Sequence, residues 1–152
     1  MNHFSVSRFL CPNLTVCICE GVQRFFQDEQ VDDWKCPFCA VVGIGCRSSS
    51  CITLPDLLIV QVKRFNWRNG SLVKLNNDIR CPLKELSLNA AKFDLVAAIN
   101  HHGSVNSGHY SAYINNKDRW YGCDDNKTFL LANNEVITPA AYLLVFRKSA
   151  GD

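Results

Sequence analysis

The chain has 152 residues, of which 47% are hydrophobic and 20% are charged, proportions that are ordinary for one globular domain. The formal net charge of +2 is too small to favour nucleic acid or an anionic membrane as a partner. No apolar run approaches the length needed to span a bilayer, and the N-terminal residues lack the apolar stretch and cleavage site of a signal peptide. We therefore expect an intracellular protein, cytoplasmic or nuclear, that binds neither nucleic acid nor membranes.

The nine cysteines are an odd number, and without a secretion signal they do not indicate a disulfide framework. In a reducing compartment cysteines serve as metal ligands, as a catalytic thiol or as small buried hydrophobes. We expect most of the nine to be buried thiols.

The first part of the chain contains one predicted helix. Its apolar residues recur at helical spacing: Leu14, Ile18, Val22, Phe25 and Phe26. The pattern predicts an amphipathic helix over residues 15–27, with Asn13 or Thr15 as its N-cap. The acidic segment 28–33 is expected to be a connector, and Cys36-Pro37-Phe38-Cys39 to form a turn.

From residue 54 onward the pattern predicts β-strands. Segment 57–65 is rich in Leu, Ile and Val and predicts one largely buried strand, and Asn69-Gly70 is a tight-turn signal. Further short strands are predicted over residues 72–75, 86–88, 93–99, 110–114, 119–123 and 142–146. The predicted fold class is α+β, in a single domain. A helix and a finger-like cysteine knuckle would occupy residues 14–53, and a mostly antiparallel sheet would occupy residues 54–148.

The polar segment 115–118 between two predicted strands indicates a β-hairpin. With the turn centred between Asn116 and Lys117, His109 lies directly opposite Asp124, with the two Cα atoms roughly 4.5–5.5 Å apart. A carboxylate at that position can fix the tautomer of the ring and stabilise the imidazolium. This is the orienting role in a nucleophile–His–acid triad.

Residue types alone leave this interpretation open. A structural His–Asp pair at a strand end, with Gly103 and Gly108 serving only the turn, explains the same residues. As substrate-site residues, the two glycines would instead let the loop between them approach an extended substrate closely. A shift of the hairpin turn would also place Cys123 or Asp125 opposite His109.

Four segments resemble, in order and spacing, the motifs of the ubiquitin-specific proteases, which are papain-like cysteine peptidases that cleave ubiquitin from proteins. They are the knuckle at 34–39, the strand at 54–65 ending in Lys63-Arg64-Phe65, the histidine box at 108–113 with 120–125, and the closing strand at 141–146. The resemblance covers residues 14–148 and corresponds to the C-terminal half of the catalytic domain.

The resemblance implies three catalytic residues. His109 would be the general base that deprotonates a catalytic thiol, and Asp124 would orient its ring. Asp125 would support the oxyanion or the loop. No cofactor would be required.

The resemblance also implies a substrate site for ubiquitin and ubiquitinated proteins. Gly103, Gly108 and Tyr110 would line a narrow channel for the ubiquitin tail, which ends in two glycines. Larger side chains in the tail would be excluded sterically.

The chain departs from the family at the nucleophile. In the family a Gly-Asn-x-Cys box carries the catalytic thiol and an asparagine helps hold the oxyanion, and neither occurs in this sequence. Cys11, Cys17 and Cys19 lack that context, and Cys123, beside Asp124, is expected on the opposite face of its strand. We therefore expect a thiol-dependent deubiquitinase whose nucleophile-bearing N-terminal half is absent from this chain. One alternative is a catalytically inactive ubiquitin-binding module. The other is an unrelated zinc-stabilised domain, and it would require all four motif matches to be coincidental.

Cys36 and Cys39 have the spacing of half a tetrahedral zinc site. In the family the second pair of ligands comes from well upstream. The chain offers two substitutes: Cys46 with Cys51, and Cys11 with Cys17. The favoured interpretation is an isolated knuckle without metal, with a structural zinc as the alternative. His101 and His102 could also bind metal, but we expect them to shape the loop before the histidine box.

Overall fold

The computed structural model describes residues 2–6, as backbone only, and residues 15–150. The elements of these residues are β1 (Asn2–Val6), β2 (Val16–Cys17), α1 (Ile18–Phe25), β3 (Glu29–Lys35), β4 (Val42–Arg47), β5 (Leu57–Val62), β6 (Phe65–Arg68), β7 (Ser71–Lys74), β8 (Ile79–Arg80), β9 (Leu86–Leu88), β10 (Ala91–Gly103), β11 (Gly108–Asn116), β12 (Arg119–Asp124), β13 (Lys127–Leu131), a 3₁₀ turn (Asn133–Glu135) and β14 (Ala141–Lys148). In this part of the chain no helix has the length and apolar character needed to cross a membrane.

Eight strands form one sheet in the order β1-β5-β14-β10-β11-β12-β13, with β9 also paired to β10. Within that sheet β1 pairs with β5 in parallel, and the other pairs are antiparallel. The predicted mostly antiparallel sheet is therefore confirmed, with a single α-helix among the described residues. Three two-stranded ladders lie outside it: β2 with β8, β3 with β4, and β6 with β7.

The core lies on one face of the central strands. Strand β5 alternates between half-buried and buried residues, which is the pattern of a strand covered more completely on one face. Helix α1 contacts β1 and β9 and adds Ile18 and Val22 to the core. The buried apolar residues of β5, β10 and β14 are Leu58, Val60, Val62, Phe93, Leu95, Ala98, Ala141, Leu144 and Phe146.

The N-terminal part differs from the sequence-based prediction in two places. Helix α1 begins at Ile18, with Cys17 in the N-cap position and no side-chain cap. The predicted N-cap Thr15 is wrong because Val16 and Cys17 are held extended by pairing with β8, and Asn13 lies outside the described residues. The predicted connector at 28–33 is also wrong, since it belongs to β3, which pairs with β4. Most of this hairpin is exposed on both faces, so its sequence carries no apolar alternation.

The predicted strand at 57–65 is two strands, because the chain leaves the ladder at Lys63 and Arg64 between β5 and β6. The predicted turn at Asn69-Gly70 is confirmed, and both residues have positive φ, 49° and 76°. Strand β10 extends beyond its predicted bounds of 93–99 in both directions. Strand β13 is not among the predicted strands, and its largely exposed residues explain why the pattern does not reveal it.

Candidate active site

Three adjacent strands bring the candidate residues to one end of the main sheet. Strand β10 ends and β11 begins at this end, where His102 pairs with His109 and Gly103 pairs with Gly108. Strand β12 ends at the same place with Asp124. The site is therefore built from the ends of regular strands, which hold side chains more precisely than a free loop would.

The hairpin of β11 and β12 does not have the predicted register. Its turn is Lys117-Asp118, both with positive φ, and Asn116 pairs with Arg119. The predicted turn centre is wrong by one residue, which shifts the pairing by two, so that Asp124 is a diagonal and not a direct neighbour of His109. A shift by two residues keeps every side chain on its face of the sheet, and diagonal neighbours remain within reach of long side chains.

His109 and Asp124 are in contact in spite of that shift. Nε2 of His109 shares a hydrogen bond with Oδ1 of Asp124, and the two side chains are 46% and 43% exposed. This hydrogen bond, with the charge of the carboxylate, raises the pKa of His109 above its usual value. The same contact lowers the pKa of Asp124. Each group thus stabilises the charged form of the other.

Asp125 adjoins this pair in the turn between β12 and β13, where its φ is 49°. One ligand atom each from His109, Asp124 and Asp125 lies within 4.8 Å of the others. The charge of Asp125 further raises the pKa of His109. A nitrogen and two carboxylates at this spacing could also hold a divalent metal ion.

The two glycines close the loop between β10 and β11. Gly103 has φ of 92°, and a Cβ there would lie 2.5 Å from the carbonyl oxygen of Ser107. At Gly108 a Cβ would lie 2.1 Å from Nε2 of His101. Both positions therefore require glycine for the loop itself, and their contact with a substrate remains a prediction.

The structure does not bring Tyr110 together with His109. As its neighbour on β11, Tyr110 lies on the opposite face, where it pairs with His101 and the ring centroids are 4.8 Å apart. Its side chain is 55% exposed. His101 itself is buried and also contacts Phe65 and Tyr142, which fits the expectation that it shapes the loop.

A lysine that the sequence analysis did not single out holds the base of the same loop. Nζ of Lys74 donates hydrogen bonds to the carbonyl oxygen of His101 at 2.7 Å and to that of Gly103 at 3.0 Å. Lys74 ends β7, so these bonds tie the β6–β7 hairpin to the end of β10. The sequence around Lys74 contains no pattern that predicts such a contact.

A buried arginine binds three backbone carbonyl groups near the site. Arg64 is fully buried and donates to the carbonyl oxygens of Ala141 at 2.6 Å, Leu75 at 2.9 Å and Asn77 at 3.2 Å. Burial lowers its pKa to about 10, so the guanidinium stays charged at neutral pH. The sequence could have indicated this role, because Arg64 is a charged residue directly after an apolar strand. Charged groups are buried only when they have partners.

Three described thiols, those of Cys123, Cys19 and Cys81, are unsuited to complete a triad with His109 and Asp124. Cys123 pairs with Ala112 and, as the residue before Asp124, lies on the other face of β12. Burial raises the pKa of Cys19 and of Cys81, which opposes thiolate formation. Cys11 lies outside the described residues.

The Cys36–Cys39 turn forms the tip of the β3–β4 hairpin. Backbone N–H of Cys36 donates to the carbonyl oxygen of Val41, and that of Ala40 donates to the carbonyl oxygen of Cys36, both at 2.9 Å. The backbone N–H groups of Cys39 and Phe38 lower the pKa of Cys36. A sulfur that accepts backbone hydrogen bonds is suited to bind a metal as thiolate.

These two thiols have the spacing of half a tetrahedral zinc site. Cys46 lies further down the hairpin, opposite Gln30. Among the described residues, three side chains that could bind one metal ion come close together only around His109. The described residues thus supply Cys36 and Cys39 as ligands and no third one beside them.

The chain belongs to the ubiquitin carboxyl-terminal hydrolase family, whose sequence profile matches residues 14–146. It is 32% identical over 174 aligned residues to "Ubiquitin carboxyl-terminal hydrolase 43" of Mus musculus, covering 90% of this chain and 15% of that protein. It is 30% identical over 148 residues to "Ubiquitin carboxyl-terminal hydrolase 4" of Pongo abelii, covering 88% of this chain and 15% of that protein.

A solved structure shows the same fold. The SAGA DUB module Ubp8/Sgf11/Sus1/Sgf73 bound to monoubiquitin contains a chain that matches with a TM-score of 0.73 and 25% identity. The match covers 99% of this chain and 36% of that chain. The chain therefore spans about a third of that solved chain and 15% of each of these two curated relatives.

Proposed function

We propose that this chain is the histidine-bearing part of a thiol-dependent ubiquitinyl hydrolase, which releases ubiquitin from proteins by hydrolysing peptide or isopeptide bonds. The observation that carries the proposal is the hydrogen bond between His109 and Asp124 in a chain of this family. The solved relative bound to monoubiquitin supports ubiquitin as the substrate.

The geometry supports a definite chemical role for the pair. Neutral His109 takes the proton of a thiol, and Asp124 stabilises the imidazolium that forms. The thiolate attacks the terminal glycine carbonyl of ubiquitin, and the imidazolium returns the proton to the departing amine as the C–N bond breaks. Water then hydrolyses the thioester, which regenerates the thiol. The raised pKa of His109 favours the thiolate–imidazolium pair that forms in the first step of this reaction.

The thiol itself is proposed to come from sequence beyond this chain. In the described residues, Cys123 lies on the wrong face, and Cys19 and Cys81 have raised pKa values. A base without its nucleophile should lose nearly all chemistry. The isolated chain is therefore expected to be inactive.

Comparison of the isolated chain with a longer translation product of the same gene tests the proposal. Release of a fluorogenic amine from the C-terminus of ubiquitin is expected only from the longer protein, and only while its additional sequence carries a reactive thiol. His109→Ala in the longer protein should abolish release, by a factor of about 10³ or more. Cys123→Ser is the matched control and should leave the rate unchanged.

Two results would refute the proposal. One is a longer protein that keeps its full activity after His109→Ala. The other is activity of the isolated chain that disappears with Cys123→Ser, which would place the nucleophile on β12.

A ubiquitin-binding module without catalysis is the second candidate. It is favoured by the composition of the group around His109, in which the close neighbours given among the described residues are two carboxylates, Asp124 and Asp125. Titration of labelled ubiquitin with the isolated chain should then shift signals of the ubiquitin tail. No shift at high concentration would exclude this candidate.

A further inference from the structure

In the part of the chain that the structure describes, the last residues of β10 pair with another strand on one edge only. Strand β14 begins at Ala141, which pairs with Asn100, so residues 101–103 of β10 extend beyond it. On the other edge these residues pair with β11. A strand end with one open edge has fewer backbone hydrogen bonds to hold it and opens more readily than the rest of its sheet.

The backbone groups on the open edge belong to His101 and Gly103. The N–H of His101 donates to the carbonyl oxygen of Ala140 at 2.8 Å, and Ala140 directly precedes β14. In an antiparallel strand the N–H and C=O of one residue point to the same edge, and residues two apart share that edge. The carbonyl groups of His101 and Gly103 therefore face the edge that β14 leaves open.

Lys74 binds both of these carbonyl groups. Its Nζ lies 2.7 Å from the carbonyl oxygen of His101 and 3.0 Å from that of Gly103. One amine thus supplies the donors that a neighbouring strand would supply, and hydrogen bonds from a charged donor are stronger than those between neutral groups. Burial, together with the charge of Arg64, lowers the pKa of Lys74, because its amine is partly withdrawn from water.

The backbone of Lys74 is attached to the main sheet. Lys74 pairs with Phe65 in the β6–β7 hairpin. The N–H of the next residue, Leu75, donates to the carbonyl oxygen of Arg64 at 2.7 Å. Arg64 in turn donates to the carbonyl oxygen of Ala141 at 2.6 Å, at the start of β14. Lys74 therefore projects from a point that is fixed relative to the sheet and does not move with a free hairpin.

The segment that Lys74 binds is the one that pairs with the candidate general base. The two acceptors come directly before and after His102, which pairs with His109 across the β10–β11 ladder. The two strand ends are in close contact, since a Cβ at Gly108 would lie 2.1 Å from Nε2 of His101. A displacement at the end of β10 would therefore also move the start of β11, which carries His109.

We propose that Lys74 is a positioning residue that takes the place of a strand at the open edge of β10 and thereby holds His109 in contact with Asp124. Lys74 acts through β10 and β11 and takes no part in proton transfer. Without its amine the end of β10 opens locally, and His109 spends less time in the position from which it can take a proton. The catalytic meaning of this inference rests on the proposed function, whereas the binding of the strand end does not.

Hydrogen exchange of backbone amides, followed by mass spectrometry on the reduced 152-residue chain, tests the strand end. Lys74→Met keeps the length of the side chain but removes its donors and its charge. Exchange in peptides that cover residues 101–110 should become faster by on the order of tenfold, as expected for the lost hydrogen bonds of a charged group. Peptides from β5 should keep their rate. Lys74→Arg should retain slow exchange, because a guanidinium can donate to two oxygens.

Lys117→Met is the matched control. It removes the same charge and the same donors from an exposed lysine in the turn at the other end of β11. Exchange in residues 101–110 should then equal that of the wild type.

Release of a fluorogenic amine from the C-terminus of ubiquitin by the longer protein tests the catalytic part of the inference. Lys74→Met should lower kcat by about tenfold, with a smaller change in KM, because the variant displaces the general base. Lys74→Arg should restore most of kcat, and Lys117→Met should leave it unchanged.

Three exchange results would overturn the proposal. They are unchanged exchange of residues 101–110 in Lys74→Met, faster exchange throughout the chain, which would make Lys74 a stabiliser of the whole fold, and exchange in Lys74→Arg as fast as in Lys74→Met. Faster local exchange with the kcat of the wild type would refute the positioning of His109. A longer wild-type protein that releases no ubiquitin would refute the hydrolase and the catalytic part of this inference, while the exchange result would still decide how the strand end is held.

Discussion

At the scale of single residues, the site depends on one exposed contact, the hydrogen bond between His109 and Asp124. An exposed pair of this kind adds little to the stability of the fold. Its effect is on protonation, because the contact raises the pKa of His109 and lowers that of Asp124. A base with a raised pKa holds more strongly the proton that it takes from a thiol.

Asp124→Asn removes the charge and is expected to lower the pKa of His109, which NMR titration of its ring measures. The sign follows from linkage: a histidine with a raised pKa stabilises the fold while it is protonated. That stabilisation of the fold is lost as the pH rises through the raised pKa of His109. The Asp124→Asn variant should therefore be slightly less stable than the wild type at acidic pH only. Asp118→Asn, in the turn at the other end of the hairpin, is the control. An unchanged His109 midpoint in Asp124→Asn would contradict the contact.

The sequence was sufficient to pair His109 with Asp124, but not to place the turn between their strands. Asn115, Asn116, Lys117 and Asp118 are all compatible with a turn, and the choice among them depends on how β12 packs. His109 still contacts Asp124 because the error in the turn centre shifts the strand pairing by two residues. A shift by two leaves each side chain on the same face of the sheet. Lys74 was not predictable at all, because its two carbonyl partners are distant in sequence.

At the scale of elements, the junction of β10 and β11 is closely packed at Gly108. A methyl group at Gly108 would collide with the ring of His101 and would lie 2.8 Å from the carbonyl oxygen of His102. Both of these atoms belong to β10, which is also held by Lys74. The collision can therefore be relieved only by moving the strand pair that carries His109.

Gly108→Ala should accordingly destabilise the chain by about 1–3 kcal/mol, the usual cost of overpacking. Urea unfolding followed by circular dichroism measures this loss. Gly43→Ala is a matched control on β4, where an added Cβ would meet nothing within 4 Å, and its unfolding midpoint should stay close to that of the wild type. Equal unfolding midpoints for Gly108→Ala and the wild type would show that the loop has room for a methyl group at this position.

The β3–β4 hairpin gives a prediction about metal. The described residues provide Cys36 and Cys39 without a third ligand beside them, so we expect purified chain to hold well below one zinc ion. Elemental analysis measures the ratio, and a Cys36→Ser, Cys39→Ser double variant gives the background. About one zinc per chain with four sulfur ligands at about 2.3 Å, measured by X-ray absorption, would contradict the isolated knuckle.

Elements were predictable from the sequence where one of their faces is buried. Strands β5, β9 and β14 bury regular sets of apolar residues and match segments predicted from the sequence. Strands β3 and β13 are largely exposed and were missed, because backbone pairing without burial leaves no periodic pattern.

At the scale of the whole molecule, many large apolar side chains of the described residues are exposed. Those exposed by 70% or more are Phe38, Ile44, Ile52 and Trp67. Phe38 and Ile44 belong to the β3–β4 hairpin, and Trp67 belongs to the β6–β7 hairpin. Neither hairpin pairs with a strand of the main sheet, so neither gains the support of a third paired strand. Exposed apolar groups on weakly supported hairpins favour association between chains.

We therefore expect the isolated chain to be marginally stable and prone to aggregation. Light scattering should rise with protein concentration under native conditions, and Phe38→Ser with Ile44→Ser should reduce it without lowering the unfolding midpoint in urea. The matched control is Val60→Ser in the buried part of β5. It should lower the midpoint and increase scattering, because an unpartnered hydroxyl in the core destabilises the fold. Cooperative unfolding of the wild type with a high midpoint and no scattering would show that the exposed apolar surface causes no association.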